Sequence, residues 1–165
     1  MSRRLIPFAW SAAVMAADRV SKLWVQATLT PYDSWVIVPG FFNLIHTENR
    51  GMAFSLFADA DESTRRFLLI GVSLAVMAFI AVMLWQAAAR PAERVQSAAL
   101  SLVLGGASGN IYDRIAAGAV TDFLDVYIGE HHWPTFNVAD SAITIGALLL
   151  LLDMWRGRAR QTAVA

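Results

Sequence analysis

Phe67-Leu-Leu-Ile-Gly-Val-Ser-Leu-Ala-Val-Met-Ala-Phe-Ile-Ala-Val-Met-Leu-Trp85 carries no charged residue from end to end. At ~1.5 Å of rise per residue, about 20 such residues cross a hydrocarbon core of ~30 Å, so this stretch reads as a membrane-spanning helix. The whole chain agrees with it. Of 165 residues, 57% are hydrophobic and only 16% charged, with a mean hydropathy of +0.50. Soluble domains carry about 25% charged and about 45–50% apolar residues, so both departures point to a membrane protein and exclude a disordered one. Lys plus Arg and Asp plus Glu are 13 each, a zero net charge that gives nucleic-acid binding no electrostatic support. The absence of cysteine excludes disulfides, thiolate metal sites, a cysteine nucleophile and lipid attachment to a cysteine of this chain. The length fits a single domain over 1–165.

Three weaker apolar runs lie outside the first. Leu5 to Leu29 is interrupted by Asp18, Arg19 and Lys22; Val95 to Tyr112 is rich in Ala, Leu, Gly and Ser; Phe136 to Trp155 carries Asn137 and Asp140 near its start. The expected fold is therefore an all-α polytopic membrane protein with four transmembrane helices over about 5–29, 67–85, 95–112 and 136–155. The run from Leu5 to Leu29 is too long and too charged for a cleavable signal peptide. Basic residues in short loops set orientation. One side holds Arg3, Arg4, Arg90, Arg94, Arg156, Arg158 and Arg160 against Glu93 and Asp153; the other, with outer loops 30–66 and 113–135, holds four arginines against nine acids. Both termini are thus expected in the cytoplasm. Within 32–57, Trp35-Val36-Ile37-Val38 and Phe41-Phe42-Asn43-Leu44-Ile45 flank the turn signal Pro39-Gly40, so a small extracytoplasmic β-structure is expected. The polar stretch Ala58 to Thr64 reads as a linker, and the tail after Arg156 as frayed.

Ionisable groups inside spans are costly and mark candidate sites. Asp18 and Lys22, four apart, share a helix face, where they either neutralise each other or support a site in the outer half of the span. Gly105 and Gly109 form a G-x-x-x-G pair that permits close helix approach, and Asn110, Asp113 and Arg114 follow that seam. Asp122 lies in an outer loop. Asn137 and Asp140, three apart, share a face at the start of the last span, where an acid also serves as a first-turn cap. Asn49, Asp113, Arg114, Asp122, Asn137 and Asp140 thus come from separate regions to one depth at the outer interface.

Two carboxylates in a partly desolvated pocket share one proton. The ionised partner takes a proton from water while the protonated one polarises an amide carbonyl, which is peptide hydrolysis without a covalent intermediate. No H-E-x-x-H or G-x-S-x-G is present, and the adjacent His131 and His132 read as a solvated loop pair, so neither a metal nor another cofactor is expected.

These residues resemble a family. Asp18-x-x-x-Lys22, Asn49-Arg50-Gly51-Met52-Ala53-Phe54-Ser55, Gly105-Gly106-Ala107-Ser108-Gly109-Asn110-Ile111-Tyr112-Asp113-Arg114, Val120-Thr121-Asp122-Phe123 and Phe136-Asn137-Val138-Ala139-Asp140 are similar, in order, to the motifs of lipoprotein signal peptidase, the type II signal peptidase of bacteria. Met52 and Ser108 depart from its commonest pattern. The resemblance implies an intramembrane aspartic endopeptidase of the bacterial cytoplasmic (inner) membrane, with Asp122 and Asp140 as the catalytic pair. Asn49, Gly51, Asn110, Asp113, Arg114, Asn137, Asp18 and Lys22 then bind substrate or brace the pair. It further implies removal of signal peptides from prolipoproteins by a cut before a diacylglyceryl-modified Cys, an extracytoplasmic β-cradle and sensitivity to globomycin. The implied partners are the lipid-modified prolipoprotein and membrane lipid, and a monomer is the expected state. Two other readings stand beside it: a small proton-coupled transporter, motivated by the intramembrane Asp18 and Asp140, and a non-catalytic membrane assembly factor, motivated by the small-residue seam.

Overall fold

The computed structural model describes residues 3–31, 33–50 and 62–162. Four long helices cover the four apolar runs: α1 (Ile6–Thr28), α2 (Glu62–Ala87), α3 (Arg94–Ala116) and α4 (Val138–Thr162). Two stretches, Phe67–Ala87 and Val138–Arg156, are long and apolar enough by themselves to cross a membrane. The other two helices are diluted by charged and small residues, and the packing shows where those go. α3 contacts α1, α2 and α4, so its polar groups face protein. Ser97, Ser101, Gly105, Gly106, Gly109, Asn110 and Asp113 are all buried on it. α2 instead leaves Phe67, Val72, Phe79 and Val82 exposed.

The glycines of α3 set how closely its neighbours approach. A Cβ on Gly105 would lie 2.6 Å from the Ser11 carbonyl oxygen of α1, and one on Gly109 would collide with the Asp18 carboxylate. On the opposite face, a Cβ on Gly106 would strike the Ala139 carbonyl of α4. The expected G-x-x-x-G seam is therefore real and packs α3 on α1, with Gly106 adding a second seam toward α4.

Four antiparallel strands join the helices in the order β1 (Ser34–Val38), β2 (Phe42–Asn49), β3 (Val120–Ile128) and β4 (His131–His132). The β1–β2 hairpin turns at Gly40, whose φ of 79° suits glycine, as the Pro39-Gly40 signal implies. Its partner β3 is a strand that the sequence reading leaves inside an outer loop. Between the pairs Leu44↔Leu124 and Thr47↔Asp122 the register shifts, so β2 carries one extra residue there. A small apolar cluster of Val25 from α1, the capping Leu29 that follows it, Phe123 from β3 and Val138 from α4 fastens the sheet to one end of the helices. At that end Trp24 of α1 meets Trp35 of β1 edge-on at 6.4 Å.

Two boundary expectations need correction. Part of the expected polar linker is helical, because α2 begins at Glu62 and no Gly or Pro breaks the run to Ile70. The tail after Arg156 is not frayed at once, since α4 continues to Thr162 through strong helix formers such as Ala159, Arg160 and Gln161. Gly51 and Met52, with the end of the 32–57 segment, lie outside the described residues.

Candidate active site

The site forms where the sheet meets the starts and ends of the helices. Asn137 begins α4 as its cap. Its side-chain Oδ1 accepts the Asp140 backbone N–H at 2.8 Å, and its own N–H donates to Asp140 Oδ2 at 3.3 Å. This reciprocal arrangement is a capping box, with Asp140 in the position of the usual Glu. The capping reading of Asp140 is thus correct, but only one of its oxygens is used that way. Asp140 Oδ1 accepts from Asn110 Nδ2 at 2.7 Å.

Asp122 reaches the same place from β3. The backbone N–H groups of Phe123 and Leu124 both donate to the Phe136 carbonyl, at 3.0 and 2.8 Å, which holds β3 beside the start of α4. Asn137 Nδ2 donates to Asp122 Oδ1 at 2.7 Å, and Asn49 Nδ2 donates to Asp122 Oδ2 at 3.1 Å. Asn49 is placed for this by the β2 irregularity, which sets Thr47 opposite Asp122 and leaves Asn49 on the diagonal. Asp122 is only 2% exposed. Burial pushes its carboxyl up to about 6, against the pull of the Asn49 hydrogen bond, and the nearby Asp140 charge pushes the same way.

Asn110 is the hub behind both acids. Besides bonding Asp140, its Oδ1 accepts from Asn137 Nδ2 at 3.2 Å and from Lys22 Nζ at 3.0 Å. The Lys22 ammonium also lies 2.8 Å from Asp18 Oδ2 and 2.7 Å from Asp113 Oδ2, two buried ion-pair contacts beside its hydrogen bond to Asn110. Asp18 Oδ1 accepts the Ala139 backbone N–H at 2.9 Å, a free donor of the first turn of α4. Asp113 pairs with Arg19, whose guanidinium lies over the Tyr112 ring at 4.5 Å. Asp18 and Lys22 thus pair with each other, as the neutralising reading expects, and Lys22 also bonds Asn110.

Of the expected site residues, Asn49, Asn110, Asn137, Asp122 and Asp140 form one connected network, and Lys22, Asp18 and Asp113 stand one step behind it. Arg114 joins none of these bonds; its Nε is buried with no hydrogen-bond partner among the described residues. Gly51 lies outside the described residues. Two supporting contacts are invisible in the sequence. Gln26 Nε2 donates to Thr121 Oγ1 at 2.7 Å, and Thr47 Oγ1 donates to the Asp122 carbonyl at 3.2 Å. The paired histidines are not simply solvated: His132 stacks on Tyr127 at 4.8 Å and bonds Asp125 at 2.8 Å.

The chain has relatives. The profile of signal peptidase (SPase) II matches residues 10–156. The chain belongs to the signal peptidase II family. Lipoprotein signal peptidases of Solibacter usitatus and Geobacter metallireducens are 45% and 44% identical to it, covering 93% and 92% of this chain and 92% and 91% of theirs. That of Yersinia pseudotuberculosis is 41% identical over 94% of this chain and 90% of its own. A bacterial membrane enzyme solved by the in meso method at 2.3 Å superposes with a TM-score of 0.73 at 27% identity, covering 94% of this chain and 90% of that one. This signal peptidase II is therefore a peptidase of the aspartic type and a bacterial inner-membrane protein.

Proposed function

We propose that this enzyme removes signal peptides from diacylglyceryl-modified prolipoproteins, cutting before the lipidated Cys, with Asp122 and Asp140 as the catalytic pair. The observation that carries it is that one fully buried residue, Asn137, holds two carboxylates from different elements, Asp122 through its side-chain amide and Asp140 through its backbone N–H. In this reading all four helices span the membrane as one domain, both termini are cytoplasmic, and the sheet forms a cradle at the outer face. The acyl chains of the substrate stay in the bilayer, anchored by ~0.8 kcal/mol per buried CH₂, while the scissile bond meets the acids at the interface.

Asp140, in the first turn of α4 where the helix dipole favours negative charge, acts as the base on water. Asp122, raised by burial, holds the shared proton and gives it to the carbonyl oxygen. Collapse of the tetrahedral intermediate returns a proton to the leaving amine. Asn49, Asn110 and Asn137 fix the carboxylates, Lys22, Asp18 and Asp113 support Asn110, and the unpartnered Nε of Arg114 supports a role toward substrate, as does the sequence motif for Gly51. The enzyme acts without a cofactor, as a monomer, and is blocked by globomycin. The converging network lies at one end of the helices, which favours this chemistry over a transporter, whose sites sit near the midplane.

Two outcomes follow. Purified enzyme in micelles should release the signal peptide from the diacylglyceryl-modified precursor and leave the unmodified precursor intact, as read by mass spectrometry. Equal cleavage of both would contradict the substrate assignment. Second, kcat/KM should fall as pH rises through about 6, because Asp122 then loses the proton it must donate. An increase through that pH would instead make Asp122 the group that works ionised.

A further inference from the structure

At the end of the helices away from the acids, α1, α3 and the α2–α3 turn line an open cavity of about 630 Å³. Three guanidinium-bearing residues line it: Arg4, Arg90 and Arg94. Arg90 is partly neutralised by Glu93 at 2.8 Å. Among the described residues, no carboxylate lies within salt-bridge distance of Arg4 or Arg94. Arg4 is held over the Trp85 ring at 5.3 Å, a contact that restricts its position without using up its N–H donors. Arg94 opens α3, whose cap residue Glu93 makes no side-chain capping bond, so the positive end of that helix also faces this region. Buried Ser97 adds a hydroxyl to the lining. The rim is of different character: Ile6 and Trp10 line it and are 46% and 65% exposed.

We infer that this cavity is a binding site for the phosphate headgroup of an anionic phospholipid, with its acyl chains lying along Ile6 and Trp10. Two uncompensated cations in a concave site suit a phosphodiester, and basic pockets between helices on the cytoplasmic side take such headgroups. A freely soluble phosphate would gain nothing from the exposed apolar rim, whereas a lipid covers it. The inference rests on the four-span reading, which puts this end at the cytoplasmic leaflet.

The test uses full-length enzyme delipidated in neutral detergent, with dioleoyl phosphatidylglycerol and dioleoyl phosphatidylcholine as probes in native mass spectrometry. Wild type should retain one phosphatidylglycerol and no phosphatidylcholine. Arg94→Gln should weaken retention roughly five-fold and Arg4→Gln/Arg94→Gln more, while Arg156→Gln, outside the cavity, should match wild type. Equal retention of the two lipids, or equal losses in Arg94→Gln and Arg156→Gln, would overturn the site. Millimolar inorganic phosphate should not reproduce the thermal stabilisation given by phosphatidylglycerol; if it does, the lipid assignment falls. Asp140→Asn should bind lipid as wild type does, so a failure of the proposed catalysis and a failure of this site read out separately.

Discussion

Replacing Lys22 by methionine should lower the unfolding free energy by about 3–5 kcal/mol, the range for removing one partner of a buried ion pair. The side chain is fully buried, and its ammonium bonds Asn110 and lies within ion-pair distance of Asp18 and Asp113. Methionine fills the space but leaves two buried carboxylates facing one remaining cation, Arg19. The cost is charge, not volume. Adding Asp18→Asn to Lys22→Met should therefore recover part of the lost stability, although Asp18→Asn alone removes a partner from an intact lysine and should destabilise. Because Asn110 Oδ1 loses its lysine donor, kcat should fall as well. Thermal unfolding in one detergent reads all three proteins; an unchanged midpoint in Lys22→Met would contradict the bracing role.

The larger effect on activity is expected at the acids. If the proposed mechanism holds, Asp122→Asn and Asp140→Asn each remove a proton-transfer group, a step that contributes about 10²–10⁴-fold. In the proposed mechanism the two carboxylates act as one unit, so the double variant should be scarcely worse than either single one. Each replacement has a structural cost that can be separated from this loss. Asp122 accepts from Asn49 and from Asn137, and an amide at 122 has one oxygen for two donors. One of the two donors then meets an N–H instead of an oxygen at residue 122, a loss of about 1 kcal/mol that lowers stability but leaves a folded enzyme.

Much of this was legible in the residues. The apolar run from Phe67 to Trp85 and the three weaker runs mark all four helices, and Pro39-Gly40 marks the hairpin. Asn137 and Asp140 were readable as one helix face because a three-residue spacing fixes their relation locally. What could not be read is what depends on distant pairing. In Val120 to Ile128, Asp122 and Asp125 break the apolar alternation, so β3 looks like a loop until β2 lies beside it. The flanking Gly118 and Gly129, with Val120, Phe123, Val126 and Tyr127 between, were the available signal. Similarly, the spacing of Asp18 and Lys22 gives their pairing, but nothing local shows that Asp113 and Asn110 complete the ammonium's shell. Gln26 lies on α1 far from Thr121 in sequence, and only the packed helix end brings them together.

The most direct test of the Asp122–Asp140 pair is cleavage of a diacylglyceryl-modified prolipoprotein by purified wild type, Asp122→Asn and Asp140→Asn, compared side by side at equal folded concentration. Wild type should release the signal peptide with the cut immediately before the lipidated Cys, and both variants should leave the precursor intact while retaining a cooperative unfolding transition. Full activity in either folded variant would show that the carboxylates are not the catalytic pair.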